Sequence, residues 1–462
     1  MSSDLLVELC HTLDLPQGRY AELERYAAGR QALAYLSPDA KIALPALNRI
    51  VSNIPRLAVS SLAERLRIIG FKGVELWADW LSNDLDQQSV ILHRESLLFG
   101  DGYVICWARP DGSPLVTVES PRQVAVIKDP ATREVTSAVK RWRTRTTTEA
   151  MVYLPDRVEH WRANTTAAAA PAFELVQALD NPLGVVPVVN FCNADRILLT
   201  IGDALLTRQF GHSEIDDLVP LVDGLNATLA GLAVAQEFTA RPRRWATGIE
   251  LVEQPKIDDD GRPLLDDDGQ PVMQTVNPIP EGSRMMVSEN DQAKFGQLSG
   301  ADLNGYSTAV DIWLGQIMAV SALPAHFVGI TTSNPSSADA LRASEASLTA
   351  RAEQRAAVFG RSWEQVARLM VAIRDGVAVD SVDVSAQWGD PASRSIAQEA
   401  DAATKLFQTG LLSRTGALRK LGYSDDEIAD ELRNIAADRE AETDPITKQY
   451  HKHLVGMDSN NE

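Results

Sequence analysis

The chain has 462 residues, of which 45% are hydrophobic and 23% are charged; this composition is typical of a folded protein of two to four domains. It excludes extended disorder and collagen-like repeats over most of the length. The 44 Lys and Arg residues against 63 Asp and Glu give a formal net charge of −19, which excludes coating of DNA by phosphate neutralisation and leaves loose handling or local patches.

The N-terminal part of the chain predicts helices followed by strands. We expect helices over residues 20–36, 45–70 and 76–99, the last because Trp77, Trp80, Leu81 and Leu85 recur at steps of three and four. From residue 97 the hydrophobic period becomes two, and turn residues separate short β-branched and aromatic runs. The expected strands lie at 103–107, 115–118, 124–127, 135–142, 152–163 and 185–191. This pattern predicts an α+β domain of roughly 200 residues.

Two stripes of large apolar residues follow, and both have the spacing 3-4-3-4-3. That spacing is typical of a helix that packs lengthwise against another helix. Pro220 fits badly inside the first helix, so that helix either begins near Pro220 or kinks there. The first stripe is Ile215, Leu218, Val222, Leu225, Leu229 and Leu232, and the second is Leu303, Tyr306, Val310, Trp313, Ile317 and Val320.

About 60 residues of different character separate the stripes. Two near-identical DDDGxP turns, each an Asp triplet followed by glycine, predict a small β-rich module at the end of a helical hairpin. A dense basic cluster precedes them. It either places cations near a helix C-terminus or meets a phosphate or an acidic partner. The cluster is Arg241, Arg243, Arg244 and Trp245, and the turns contain Asp258, Asp260, Asp266 and Asp268.

The C-terminal third predicts helices. Ser336 and Asp339 form a capping box that opens a long helix, with Gly360 at an expected bend. The Ala-rich first half of this helix either faces solvent or packs closely on copies of itself. Residues 391–440 predict two or three short helices, broken at Gly410 and Gly422, before a polar tail. Arg141, Arg143 and Arg145 alternate along a strand, which favours a solvated sheet edge.

No sequence motif predicts catalysis, a cofactor or a bound metal. Walker A, HExxH and GxSxG motifs are missing. An EF-hand fails in both registers, because Gly261 at loop position 6 puts Lys256 at position 1 and Gly269 puts Leu264 there. The Asp triplets therefore remain acidic surface turns or a cation site of another kind. We expect no disulfide framework, no signal peptide and no membrane span, and a reducing compartment.

The order of these elements resembles the portal proteins of tailed bacteriophages, in particular the group common in actinobacterial siphophages. The match covers nearly the whole chain, and the succession of its pieces carries it. These pieces are residues 48–51 through 70–73, 97–104 with 110–114, 181–189, 211–216, and 322–329 before 331–338.

The resemblance implies a multidomain α+β portal fold in a ring, usually of twelve subunits, through which the genome is pumped and later released. Its parts would be an α+β wing at 1–212, a stem of helices 213–239 and 301–321, and a β-rich clip at 240–300. The remaining parts would be a tunnel loop at 322–336, a long wing helix at 337–378, a helical crown at 379–440 and a tail at 441–462. The two stripes would pack the stem.

The resemblance also implies partners and contact residues. The clip would meet the terminase large subunit and then the head–tail adaptor through the basic cluster and the Asp residues named above; the enlarged acidic clip departs from the family. Major capsid and scaffolding proteins would surround the ring, and double-stranded DNA would pass through it. The tunnel loop would contribute His326, Thr331, Thr332, Ser333 and Asn334 to the channel. Two alternatives remain: a metal-dependent hydrolase that uses Asp258–Asp260 and Asp266–Asp268, and a non-viral helical scaffold or adaptor.

Overall fold

The computed structural model describes residues 2–32, 51–166, 172–194, 211–240, 244–247, 252–257, 262–266, 269–276, 292, 294–297, 303–330, 338–392 and 396–442. The chain divides into two compact units. The first comprises Met1–Ala34, Val51–Gly224 and Trp313–Glu462, and the second comprises Tyr35–Ile50 and Leu225–Ile312. The predicted mixture of helices and strands is confirmed.

Helices lie at the beginning and at the end of the first unit, and two further helices contain the points at which the chain passes from one unit to the other. The helices are α1 (Ser2–Asp14), α2 (Gln17–Ala27), α3 (Ile54–Ala63), α4 (Trp77–Ser82), α5 (Leu85–Phe99), α6 (Val219–Ala240), α7 (Asn304–Ser321), α8 (Ala338–Asp375), α9 (Ile396–Gln408), α10 (Arg414–Lys420) and α11 (Asp425–Glu442). Short 3₁₀ turns lie at Ala325–Val328 and Val379–Ser381.

The strands of the first unit form three antiparallel sheets. They are β1 (Ile68–Lys72), β2 (Asp101–Ala108), β3 (Pro114–Glu119), β4 (Val124–Lys128), β5 (Val135–Arg143), β6 (Thr148–Tyr153), β7 (Arg157–Ala163), β8 (Glu174–Asp180), β9 (Val188–Cys192) and β14 (Ser385–Trp388). Strands β4 to β8 pair in chain order, β2 lies between β3 and β9, and β1 pairs with β14. In the described part of the second unit there are two antiparallel strand pairs, β10 (Arg244–Thr247) with β13 (Lys294–Gln297) and β11 (Val252–Pro255) with β12 (Met273–Val276).

Strands β4 to β7 of the five-stranded sheet are buried on both faces because their residues alternate between two apolar clusters, whereas every residue of β8 is exposed. One face packs against α1 through residues such as Leu9 and Leu13 on the helix and Val139 on the sheet. The other face packs against β2, where Tyr103 and Ile105 belong to the same buried cluster as sheet residues. Helix α1, which the sequence pattern did not predict, therefore covers this face of the sheet.

Several predicted boundaries are wrong, each for a local reason. The predicted helix over 20–36 ends at Ala27. Of the predicted helix over 45–70 the structure describes residues 51–70, and within these only α3 is helical before the chain extends into β1. The predicted helix over 76–99 breaks at Asn83 and Asp84. The Asn83 side chain donates to the Pro114 carbonyl (3.1 Å) and accepts from the Val116 amide (3.0 Å), so it occupies the edge of β3. Asp84 takes a φ of 53°, which ends the first helical segment.

The prediction that Arg141 lies on a solvated sheet edge is wrong, because β5 is an inner strand between β4 and β6. Its guanidinium donates to the Asp14 carboxylate of α1, and this partner raises the pKa of Arg141. Arg143 and Arg145 are exposed, as expected.

The long helix α8 runs without interruption through Gly360, where the sequence predicted a bend. A Cβ at Gly360 would lie 3.2 Å from the Trp388 indole nitrogen, so the glycine allows β14 to lie close to the helix. The three helices α9 to α11 confirm the prediction of short helices broken at Gly410 and Gly422. Ser336 of the predicted capping box lies outside the described residues.

An aromatic cluster joins α8 to the first part of the chain. The Trp363 ring lies 4.8 Å from both the Trp80 and Phe191 rings, and the His93 ring stacks on Phe359 at 5.5 Å. The Trp363 indole N–H donates to His93 Nε2 at 2.9 Å. Because burial disfavours the charged imidazolium, the pKa of His93 falls from its ordinary 6.5 to about 3.

The buried neutral His93 makes stability depend on pH. Since its folded pKa lies below its unfolded pKa, its contribution is complete above about pH 6.5 and declines as the pH falls toward 3. The His93→Gln variant keeps an acceptor for Trp363 but does not titrate. Urea unfolding at pH 7.5 and 5.0 should show that wild type loses about 2 kcal/mol more than the variant. Equal losses would contradict a buried neutral histidine.

Candidate functional site: the junction of helices α6 and α7 with α8

Three distant segments meet just before α6, and we call their meeting point the junction; it consists of Gly100–Asp101, Asn193, Gly211–Glu214 and two arginines of α8. Backbone hydrogen bonds connect the segments, from the Asn193 amide to the Gly100 carbonyl (2.7 Å) and from the His212 amide to the Asn193 carbonyl (2.9 Å). The Glu214 amide donates to the Leu97 carbonyl at 2.9 Å. Two separate stretches that carry the sequence resemblance, 97–104 and 211–216, are therefore neighbours in space.

Two glycines allow the backbones to cross at the junction. A Cβ at Gly211 would lie 1.9 Å from the Gly100 carbonyl oxygen, and one at Gly100 would lie 2.4 Å from the Gly211 oxygen. Gly100 also has a φ of +92°, which side-chain-bearing residues rarely adopt. Neither position can therefore accept a side chain without moving the backbone.

Asp101 holds the crossing from inside the protein. Its fully buried carboxylate accepts from the Gly211 amide at 2.7 Å and from the Asn190 side chain at 3.0 Å. Lys128 in turn donates to the Asn190 side-chain oxygen at 2.9 Å. Burial raises the pKa of Asp101, although the two hydrogen bonds act in the opposite direction.

Glu214 connects the junction to α8. Its carboxylate accepts from Arg355 at 2.7 Å and from the Asn193 side chain at 3.0 Å, and Arg351 lies 3.6 Å away. The side chains of Glu214 and Arg355 are each only 7% exposed. A buried ion pair of this kind is stable only when both partners stay in place, because either charge alone would be stranded away from water.

Arg351 extends the same network to the end of α7. Its guanidinium donates to the Val320 carbonyl at 3.0 Å and to the Ser321 carbonyl at 3.1 Å. The last carbonyls of a helix lack intrahelical donors and carry the negative end of the helix dipole, so a cation there is favourable. Arg351 and Glu214 therefore fix the approach to α6 and the end of α7 on one helix, α8.

Glycines of α6 face aromatic rings of α7. A Cβ at Gly224 would lie 2.6 Å from the Trp313 ring, and a Cβ at Gly231 would lie 3.2 Å from the Tyr306 ring. Seven residues separate the two glycines, and seven separate the two aromatics, so both contacts agree with one antiparallel register of the heptad type. Helix α6 begins at Val219, which places Pro220 in its first turn, where no intrahelical donor is required. The alternative of a kink at Pro220 is thereby resolved.

The predicted stem-packing residues occupy positions of graded burial. On α6 and the turn before it, the outermost two of the six are half-buried and the others are buried. On α7 one is buried and five are half-buried. The buried residues are Ile215, Leu218, Val222, Leu225 and Ile317, and the half-buried ones are Leu229, Leu232, Leu303, Tyr306, Val310, Trp313 and Val320. The stripe analysis missed Gly224 and Gly231; their shared seven-residue step with Tyr306 and Trp313 was the available signal.

The other predicted site residues fall mostly outside the described part of the chain. These are Thr331, Thr332, Ser333, Asn334, Arg241, Arg243, Asp258, Asp260 and Asp268. Arg244 and Trp245 lie in β10, and His326 lies in the 3₁₀ turn after α7. Asp266 begins a turn whose Gln270 amide donates to its side chain at 2.8 Å, with Gly269 at a φ of +75°, as the Asp-Gly pattern predicts.

The described residues contain no candidate metal cluster and no candidate membrane span. No group of three or more His, Cys, Asp or Glu side chains in this part of the chain is placed to hold a metal ion. Among the same residues, no helix has both the length and the apolar character needed to cross a bilayer.

Comparison with known proteins gives a consistent match. The family model described as "Phage portal protein, SPP1 Gp6-like" matches residues 11–444. The portal protein of Mycobacterium phage D29 is 29% identical over 397 residues, covering 80% of this chain and 76% of the relative. The portal protein of Mycobacterium phage L5 is 28% identical over 395 residues, covering 80% and 75%.

Solved structures of gene transfer agent particles are also similar. A chain from the neck of an empty particle computed with C6 symmetry has 14% identity and a TM-score of 0.44, covering 87% of this chain and 93% of that one. A chain from the virion of the native particle has 13% identity and a TM-score of 0.42, covering 87% and 99%.

Gly224 tests the helix contact. Alanine normally stabilises a helix interior by about 1 kcal/mol over glycine, and Gly315→Ala on α7, with no atom near its new Cβ, should show that gain. Gly224→Ala should instead lower the free energy of unfolding by about 1–3 kcal/mol, because its Cβ would overlap the Trp313 ring. Thermal and urea unfolding measure both. A stabilised Gly224→Ala variant would show that the Trp313 side chain does not lie against Gly224.

Proposed function

The chain belongs to the SPP1 Gp6-like family of phage portal proteins, and from this premise we propose that twelve copies form a ring at one vertex of the capsid. Double-stranded DNA passes through the ring during packaging and ejection, without sequence-specific contacts. The observation that carries the proposal is the extent of the family match, which runs from α1 to the tail and includes the junction, α6, α7 and α8.

We further propose that the family's parts map onto this chain in its own numbering. Residues 1–212 and 337–378 are the wing, 213–239 and 301–321 the stem, 240–300 the clip, 322–336 the tunnel loop and 379–440 the crown. The paired helices with glycine–aromatic contacts support the stem assignment. Within the proposed crown, residues 379–392 form a 3₁₀ turn and β14, and helices begin only at Ile396.

The charge distribution suits a channel that must let DNA slide. The net charge of −19 repels phosphates at close range, and salt screens this repulsion beyond roughly 8–10 Å. Helix α11 concentrates the effect, because it carries eight acidic and two basic side chains. In the proposed crown, such a helix keeps the duplex from adhering to the ring.

The proposed partners follow from this arrangement. The terminase large subunit and later the head–tail adaptor dock on the clip, where we assign contacts to Arg241, Arg243, Arg244, Trp245 and the acidic turns. The major capsid and scaffolding proteins surround the wing. His326, Thr331, Thr332, Ser333 and Asn334 belong to the tunnel loop. Portal proteins are structural components of the virion, and we propose that this ring assembles in the host cytoplasm. The comparisons support neither the hydrolase nor the adaptor alternative.

The assembly state tests the proposal directly. Mass photometry of the purified full-length chain should give a dominant species near twelve times the 50.3 kDa of one chain, and electron micrographs should show closed rings with a central hole. We also expect the hydrogen bonds and ion pairs of the junction to be the same in the ring, because all of their residues belong to one chain. A population of monomers or dimers only, at micromolar concentration, would contradict the portal proposal.

A further inference from the structure

Glu345, near the start of α8, contacts Arg65 and His326, two side chains from distant parts of the chain. Its Oε2 accepts from the Arg65 guanidinium at 2.8 Å, and its Oε1 lies 3.3 Å from His326 Nε2. The side chains of Glu345 and Arg65 are each 12% exposed, and that of His326 is 31% exposed. Each carboxylate oxygen thus serves a different partner in a largely dehydrated setting.

Arg65 and His326 belong to segments that lead in opposite directions. Arg65 lies just after α3, and its other terminal nitrogen donates to the Pro391 carbonyl at 2.5 Å, where the chain leaves β14 toward α9. His326 lies in the 3₁₀ turn that follows α7. Glu345 therefore lies between the beginning of the C-terminal helices and the segment 322–330.

The segment 322–330 is held in a defined conformation, so that a displacement of His326 displaces its neighbours. Ala322 has a φ of 59°, a left-handed conformation that is costly for a residue with a Cβ. The Ile330 amide donates to the Ala325 carbonyl at 3.1 Å, and Gly329 closes the turn at a φ of +82°. The turn therefore moves as one short piece.

The groups on both sides of Glu345 border open space. Arg65, Phe327 and Pro391 line one cleft of about 860 Å³, together with Arg419 and Lys420 of the C-terminal helices. A packed core would resist any shift of these residues, because interiors have almost no free volume. The cleft leaves room for the His326 turn and for the chain at Pro391 to move. Glu345 contacts the His326 turn directly and is connected to Pro391 through Arg65.

We infer that Glu345 is a positioning residue that couples the 322–330 segment, through Arg65, to the chain at Pro391, which leads from β14 toward α9. Each carboxylate oxygen of Glu345 faces one of two side chains, Arg65 or His326, so a variant that removes either contact lets the carboxylate reorient and weakens the other contact. The inference rests on the proposed function for its meaning. In a portal ring, it links the beginning of the tunnel loop to the crown within each subunit.

Amide hydrogen exchange on the full-length protein tests this coupling. Glu345→Gln removes the charge while keeping the size of the side chain, and it should speed exchange at least threefold in both 323–330 and 386–392. Arg65→Gln acts on the Pro391 side, yet it should also speed exchange in 323–330. His326→Gln acts on the other side and should speed exchange in 386–392. Such reciprocal effects follow from any true coupling between two places.

Glu353→Gln is the matched control, because Glu353 lies exposed on the same helix and lines the same cleft. It should leave both segments unchanged. If Arg65→Gln affects only 386–392 and His326→Gln affects only 323–330, Glu345 holds two independent contacts and the inference is wrong. His326 is half-buried and is the most exposed of the three side chains, so its variant is the one most tolerant of substitution and the reciprocal arm remains if Glu345→Gln fails to fold.

Mass photometry on the same samples separates this inference from the proposed function. Rings without reciprocal exchange effects would overturn the coupling alone. Reciprocal effects in a protein that never forms rings would uphold the coupling inside the subunit and remove its role in a portal.

Discussion

The buried ion pair between Glu214 and Arg355 is the constraint on which the arrangement of the long helices depends. Both side chains are 7% exposed, so each charge requires the other. Glu214 is positioned by the crossing of Gly100 and Gly211 and by Asn193, and Arg351, one turn before Arg355, caps α7. The approach to α6, the end of α7 and the middle of α8 are consequently held by one small set of side chains.

The contacts among α6, α7 and α8 hold these helices in fixed relative positions. Paired helices transmit displacement only if their ends are held in place. The junction holds the start of α6 and the end of α7 against α8, whose second half carries the aromatic cluster around Trp363. Within the first unit, the close approach of the Trp313 ring to Gly224 sets how α6 and α7 face each other. In the portal ring proposed above, a subunit that keeps its shape while DNA moves past it would benefit from such a framework, and the net negative charge would limit adhesion of the DNA.

Local patterns predicted most elements, because helices and strands depend on periodicity within ten to twenty residues. Strands β2 to β5, β7 and β9, the two stripe helices and the short C-terminal helices follow from such patterns. The predicted strand over 152–163 was wrong in its bounds, because it joins the end of β6 to β7 across the turn at 154–156. Long-range side-chain chemistry was out of reach. Glu214 and Arg355 are 141 residues apart, and nothing near either marks the other as its partner. The break at Asn83 has the same origin, since its amide serves the edge of β3, 31 and 33 residues further along the chain. Arg141 was misassigned because its partner lies in α1, a helix that the sequence analysis did not predict.

The most direct test of the junction is the distance between α7 and α8 in the first unit. Spin labels on Gln316→Cys and Gln354→Cys, both exposed positions, report that distance by pulsed electron paramagnetic resonance. With Glu214 intact, a single narrow distribution is expected; Glu214→Gln should broaden it, because Arg351 and Arg355 lose the carboxylate that orients them. An equally narrow distribution at the same distance in both proteins would show that the ion pair does not hold the helices together.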